Sequence, residues 1–288
     1  MTLRFRAGAA SDVGLVRDHN EDAYLVDDGL GLVAVADGMG GHRAGEVAST
    51  AALDALRIAF GAGAPIDDAV AAANDIVFEQ SVADRNLRGM GTTLTAGALG
   101  IDGTLLIGHV GDSRAYLLRD GALERITTDH SLVEELIQSG ELTEEEAERD
   151  HRRSQITRAL GLEPGVQVDL ETIDLRPGDR VMLCSDGLTT MVREDAITEI
   201  LGDGTSAEDA ARRLVESANE AGGVDNTTVV VIDIEDDGAP TDDDTGSTAA
   251  AAADESAEEA TEPSQAAATD EAGDEGSGRR RRLFGRGK

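Results

Sequence analysis

Tryptophan is absent from this chain of 288 residues, which also holds only two tyrosines and four phenylalanines. Its core must therefore come from Val, Leu, Ile and Ala, at a length that allows one large domain or two small ones. A single cysteine, Cys184, excludes an internal disulfide framework and suits a reducing compartment. No apolar run nears the roughly 20 residues that cross a bilayer. The opening residues MTLRFRAGAASD lack the continuous apolar stretch of a secretory leader. A cytoplasmic monomer without a transmembrane segment is the expectation. Lysine occurs once, at Lys288, and no Gly-rich loop ends in Lys-Ser or Lys-Thr, which excludes a P-loop NTPase or a protein kinase. The position that would hold Arg in a cysteine phosphatase, counted from Cys184, is Thr190. No HExxH occurs and the five histidines show no paired spacing, which argues against a zinc hydrolase.

What the chain has in excess is acid: 58 Asp and Glu against 25 Lys and Arg, a formal charge of −33. Such a charge repels phosphate backbones and excludes non-specific nucleic-acid binding by the main domain. It also makes any lone carboxylate uninformative. Residues 1–235 carry mixed strand and helix signals. Residues 32–36 and 181–184 are short apolar runs that end at Asp-Gly or just ahead of it, as buried strands do. Alanine-rich helical patterns cover 44–60 and 65–82. Strands are expected at 92–99 and 104–110, joined through Asp102-Gly103. A strand at 115–118 is expected to continue that sheet and to turn at Asp120-Gly121. Two short helices fall at 131–138 and 143–150, a half-exposed strand at 166–175, and a last buried strand at 227–234. Helix 206–221 takes Ser206 as its N-cap. Residues 236–288 turn to Ala, Asp, Glu, Ser, Thr and Gly, which cannot bury enough apolar surface to offset ordering entropy. We expect a disordered acidic tail there. It ends on the basic cluster Arg279, Arg280, Arg281 and Arg282, for which a solubilising role, a weak contact with anionic surfaces, or a fold back onto the acidic domain are alternatives.

Five segments carry candidate chemistry: Arg17 to Asp22 (RDHNED), Asp37 to His42 (DGMGGH), Gly111 to Arg114 (GDSR), Ser185 to Gly187 (SDG) and Asp225 to Thr228 (DNTT). A single Asp-Gly is ordinarily a turn, and a single loop histidine ordinarily only that. Asp37 and Asp186, however, each close a buried strand, Asp112 follows one through Gly111, and Asp225 stands just ahead of one. Carboxylates that converge from strand ends repel one another unless a cation holds them. All-oxygen ligation of that kind suits Mg²⁺ or Mn²⁺. Two such ions about 3.5–4 Å apart activate a water for in-line attack on phosphorus. Arg17 is the residue type that grips the phosphate.

These segments, with Gly91 to Thr93 (GTT), Tyr116 and Leu188, resemble the signature motifs of the metal-dependent protein phosphatases of type 2C, in their bacterial branch and across nearly all of residues 3–234. The resemblance implies an α+β fold, a four-layer α-β-β-α sandwich of two mostly antiparallel sheets flanked by helices. It implies a variable flap at about 131–160 that helps select substrates. It implies that Asp37 bridges two core metals, that the Gly38 carbonyl binds the first, and that Asp186 and Asp225 hold the second. Glu21 and Asp22 would act near the metals, partly through waters. Asp112 with Asp186 would form a weaker third site, and Arg17 would bind substrate phosphate. The general acid departs from the eukaryotic pattern, because Met39 follows the metal-binding Asp-Gly and His42 lies three residues later. Implied partners are phosphorylated proteins, substrates of Ser/Thr kinases. The competing reading is a catalytically silent phosphatase-like domain that binds phosphoproteins, but such domains are expected to lose the aspartates present here.

Overall fold

Strands that read as unbroken apolar runs are covered on both faces, and this decides the architecture. The computed structural model describes residues 3–41, 43–147 and 149–237. The chain forms β1 (Leu3–Asp12), β2 (Asp22–Asp27) and β3 (Leu32–Met39), then helices α1 (Arg43–Gly61) and α2 (Ile66–Ala83). Strands β4 (Gly91–Thr92), β5 (Leu94–Leu99), β6 (Thr104–Val110), β7 (Arg114–Arg119) and β8 (Ala122–Arg125) follow. Short helices α3 (Leu132–Gln138) and α4 (Glu144–Ala147) precede β9 (Asp169–Asp174) and β10 (Arg180–Cys184). The described chain closes with α5 (Asp186–Met191), α6 (Glu194–Gly202), α7 (Ala207–Glu220) and β11 (Thr227–Asp236).

One sheet runs β1-β11-β10-β7-β8, and the other runs β2-β3-β5-β6-β9 with β4 beside β3. The strand pairings within both are antiparallel. Side chains alternate faces along each strand, and three separate cores show where they go. Leu32, Ala34 and Ala36 of β3 pack with Ala48, Ala52 and Leu56 of α1 and with Val70 and Val77 of α2. Met182 and Cys184 of β10 and Val229 and Val231 of β11 pack with Leu188, Ile197 and Leu214 from α5, α6 and α7. Between the sheets, Val33 and Val35 meet Leu183, Val230 and Ile232. The four-layer expectation holds, with helices on both outer faces.

Strand β7 corrects one expectation. It does not continue the β5–β6 sheet but pairs with β10, Ala115 opposite Leu183, in the other one. The chain changes sheets at 111–113, where Gly111 takes φ +115°, and a Cβ there would stand 2.6 Å from the Thr93 side chain. The turn at Asp120-Gly121 does form, with φ of 53° and 79°. Ser206 caps α7 as expected, accepting from the Asp209 amide at 3.1 Å. Helix α4 is shorter than the glutamate-rich pattern implied. A reciprocal cap between Thr143 and Glu146 starts it, but Ala147 is its one buried residue among those described. Residues 238–288, and with them the expected tail and its four arginines, lie outside the described residues.

Candidate active site

The stripes that are apolar between the sheets turn polar at one end. On β3 the inward positions Val33 and Val35 are followed by Asp37. Beyond Leu183 of β10 comes Ser185, and on β11 Thr228 precedes Val230. The same end is where the chain crosses between sheets, at 13–21 and at 111–113. Each sheet therefore presents hydroxyls and carboxylates to the other. Ser185 Oγ donates to Asp22 Oδ2 at 2.7 Å and accepts from the Thr228 amide at 3.0 Å. Asp22 itself is paired opposite Asp37 across β2 and β3.

Asn226 fastens the 13–21 crossing. Its Oδ1 accepts from the Glu21 amide at 2.8 Å, and its Nδ2 donates to the carbonyls of Val13 and His19 at 2.9 Å each. Arg17, on that loop, donates from Nη2 to Asp225 Oδ2 at 2.8 Å. The backbone of Asp37 is held from the Gly91–Thr93 motif. The Asp37 amide donates to Thr93 Oγ1, and its carbonyl accepts from Thr92 Oγ1, both at 2.9 Å. Gly38 is required by close approach, since a Cβ would lie 2.2 Å from the Gly45 carbonyl oxygen of α1 and 2.5 Å from that of Glu21. Gly187 is required likewise, with the Asn226 carbonyl 1.9 Å from its would-be Cβ.

The electrostatics show how closely the acids converge. Burial, and then the neighbouring charges of Asp186 and Asp225, push Asp22 up to about 7 against hydrogen bonds from Ser185 and Thr228 that favour its ionised form. Burial and the charge of Asp186 push Asp112 up to about 8. Asp37 is raised by burial and by Asp22, Asp186, Asp112 and Asp225 together, and Asp186 by burial and Asp225. Asp22, Asp37, Asp112 and Asp186 are thus raised together, with Arg17 at their edge. A divalent cation among them would reverse each of these shifts.

Seven of the residues singled out in the sequence meet at this end: Arg17, Glu21, Asp22, Asp37, Asp112, Asp186 and Asp225. Gly38 lies with them, on β3 where the strand packs against Gly45 of α1. His42 lies outside the described residues. Asn226, Ser185 and Thr93 are positioning residues that the sequence contained within its motifs but whose contacts it did not reveal. His109 and His130, unpaired in sequence spacing, lie with ring centroids 4.8 Å apart in the fold. A groove of about 710 Å³ lies elsewhere, along α1 and α2 beside Ile58 and Ile76, and none of these carboxylates lines it.

The donor set fits a hard cation. It is all oxygen, and among the described residues Asp22 Oδ1 and Asp112 Oδ1 are buried without a hydrogen-bond partner. No three His, Cys, Asp or Glu side chains among those residues form a ready-made ligand group. An ion here would draw on the Gly38 carbonyl and water as well. The fold and these carboxylates define a class of proteins that gather oxygen ligands between two antiparallel sheets. A family model described as protein phosphatase 2C matches residues 16–226, and the chain belongs to that family.

A serine/threonine protein phosphatase PstP of Mycobacterium tuberculosis is 47% identical over 233 residues, covering 78% of this chain. The chain spans only 44% of that relative's length. A serine/threonine phosphatase stp of Listeria monocytogenes is 39% identical over 229 residues, covering 75% of this chain and 90% of the relative. Among solved structures, the catalytic domain of PstP in complex with two manganese ions superposes with a TM-score of 0.74 at 43% identity. That match covers 82% of this chain and 100% of the other. No helix among the described residues is long and apolar enough to cross a membrane.

Proposed function

We propose that this chain is a metal-dependent phosphatase that hydrolyses phosphoserine and phosphothreonine on proteins, reversing the action of Ser/Thr kinases in the cytoplasm. The observation that carries this reading is the convergence of Asp22, Asp37, Asp112, Asp186 and Asp225, each of the first four raised by another's charge. Asp37, the Gly38 carbonyl, Asp186 and Asp225 would hold two Mn²⁺ or Mg²⁺ ions, with Glu21 and Asp22 contributing through waters. Asp112 and Asp186 would hold a weaker third. When bound, such ions supply an acidified water and neutralise charge that develops on the phosphoryl group.

The chain's own residues do the rest. Arg17 clamps the substrate phosphate in two hydrogen bonds, and its reach to Asp225 puts it at the edge of the carboxylates. Ser185 fixes one Asp22 oxygen, and the other is buried with no hydrogen-bond partner among the described residues. Asn226, Thr92 and Thr93 hold the backbones of Glu21 and Asp37 in place. His42 is proposed as the proton donor to the leaving serine or threonine oxygen. The competing silent-domain reading gains nothing from the site, which retains every carboxylate that reading would see lost. The test is hydrolysis of a phosphothreonine peptide with and without Mn²⁺. Activity that persists in Asp37→Asn or Asp186→Asn would falsify the proposal.

A further inference from the structure

Asp112 is buried, and its Oδ1 has no hydrogen-bond partner among the described residues. Where that oxygen points is therefore set by the backbone that carries it, the Gly111 turn between β6 and β7. Both polar groups of Gly111 belong to one residue. The Gly111 amide donates to His130 Nδ1 at 2.9 Å, and the Gly111 carbonyl accepts from the His130 amide at 2.8 Å. Because Nδ1 accepts, the ring's proton sits on Nε2, which lies 3.1 Å from Asp169 Oδ2 on β9. Asp169 Oδ1 in turn accepts from Arg158 Nη1 at 2.6 Å. Arg158 Nη1 also stands 2.8 Å from His130 Nε2; with the proton on Nε2 these two donors oppose each other, and the Asp169 carboxylate that accepts from both offsets that repulsion.

Arg158 and His130 sit at the base of the 131–160 segment. The His130 carbonyl accepts from the Thr157 amide at 2.8 Å, Ser131 bridges Ile156, and Leu160 bridges Thr92 beside the Asp37 strand. His109 backs the arrangement, with Nδ1 2.9 Å from Thr95 Oγ1 and Nε2 3.1 Å from the Thr128 carbonyl. A buried histidine is most often a satisfied core group. Here, however, each ring nitrogen of His130 serves a different structure, one the site and the other the segment.

We propose that His130 is a positioning residue in a relay, Arg158–Asp169–His130–Gly111, that transmits the seating of the 131–160 segment to the Asp112 carboxylate. Substrate contact with that segment then alters how well Asp112 holds its ion, and occupancy at Asp112 alters the segment in return. The inference rests on the reading of Asp112 as a metal ligand given above, and it adds the route by which the segment reaches it.

The test is Mn²⁺ titration of the full chain by calorimetry, with Asp112→Asn defining which class of sites depends on that carboxylate. Arg158 and Asp169 are partly exposed, so Arg158→Ala and Asp169→Asn are expected to fold, which their melting curves verify. Each should weaken the Asp112-dependent class by about tenfold, the scale for a residue that orients a ligand from behind. Neither should have a further effect in the Asp112→Asn background. In the metal-free protein, the Gly111 amide hydrogen should exchange faster in Arg158→Ala than in the wild type. His130→Asn keeps an acceptor where Nδ1 stands and should retain more Mn²⁺ affinity than His130→Gln, which does not. Unchanged affinity in Arg158→Ala and Asp169→Asn, with Asp112→Asn weakened, overturns the relay while sparing the proposed function. So does a loss that adds in full to that of Asp112→Asn. An Asp112→Asn protein that binds Mn²⁺ as the wild type does overturns the ligand reading and the relay together.

Discussion

Val33, Val35, Leu183 and Val230 meet between the sheets with no polar side-chain atom among them, while two residues along the same stripes stand Asp37, Ser185 and Thr228. The first region is closed and neutral, and every contact in it favours the folded chain. The second gathers carboxylates that oppose one another and are satisfied in full only by something outside the polypeptide. The comparison teaches that rigidity and reactivity are laid along the same strands. The apolar layer holds the strand ends still, and the strand ends carry charges that would otherwise move apart.

The sharpest way to break that division is to exchange the two kinds of residue. Asp37→Asn or Asp186→Asn should lower kcat/KM on a phosphothreonine peptide by roughly a thousandfold or more, since the metal contribution amounts to several kcal/mol. The fold should survive, as read by circular dichroism. Leu183→Ala, fully buried between the sheets, should do the reverse. It should cost about 2–5 kcal/mol of unfolding free energy in urea titration, with kcat of the remaining folded protein close to that of the wild type. If Leu183→Ala removed catalysis without loss of stability, the separation of the two regions would be wrong.

A smaller effect tests the electrostatic half of the comparison. Asp22 and Asp112 rise from an ordinary 3.8 to about 7 and about 8 in the folded chain. The folded state thus holds these protons more tightly than the unfolded state. The stability they contribute is complete below the ordinary value and is lost as pH rises through about 7 to 8. His109 acts in the opposite sense. Burial lowers it from 6.5 to about 4, so its contribution is present above 6.5 and lost as pH falls through 4. Metal-free protein should therefore lose melting temperature between about pH 5 and pH 8, and Mn²⁺ should restore it. Asp112→Asn should raise the metal-free melting temperature by about 2–4 °C, the shift expected for roughly 1 kcal/mol in a domain of this size. Smallest of all, Ser206→Ala removes the cap of α7, far from the acids, and should cost about 1 kcal/mol with no change in Mn²⁺ affinity.

The legible parts of the fold were those with a local cause. Buried apolar runs announced β3, β10 and β11 because both faces of each strand are covered. Alanine periodicity announced α1 and α2, and Ser206 announced α7. Strand β1 also has a signal, since Leu3, Phe5, Ala7 and Ala9 turn inward while Arg4 and Arg6 alternate with them. Helix α5 had none, because Asp186–Met191 is too short for a periodic pattern. The assignment of β7 to the wrong sheet has a physical reason: an Asp-Gly turn specifies a hairpin, whereas a chain crossing between sheets depends on what Gly111 packs against. The carboxylates of the site were legible through the glycines and strand ends beside them. The groups that hold them in place, Asn226 against the Val13 and His19 carbonyls and His130 against Gly111, act across separations that no sequence pattern encodes.

The central claim, that the carboxylates at the sheet crossing form one centre for divalent cations, is tested most directly by Mn²⁺ calorimetry near pH 7 in buffers of different ionisation enthalpy. The account predicts binding accompanied by proton release, because acids raised toward 7 and 8 must ionise to ligate, and it predicts that Asp37→Asn abolishes the tightest binding. Mn²⁺ that binds without releasing protons, or equally well to Asp37→Asn, would contradict it.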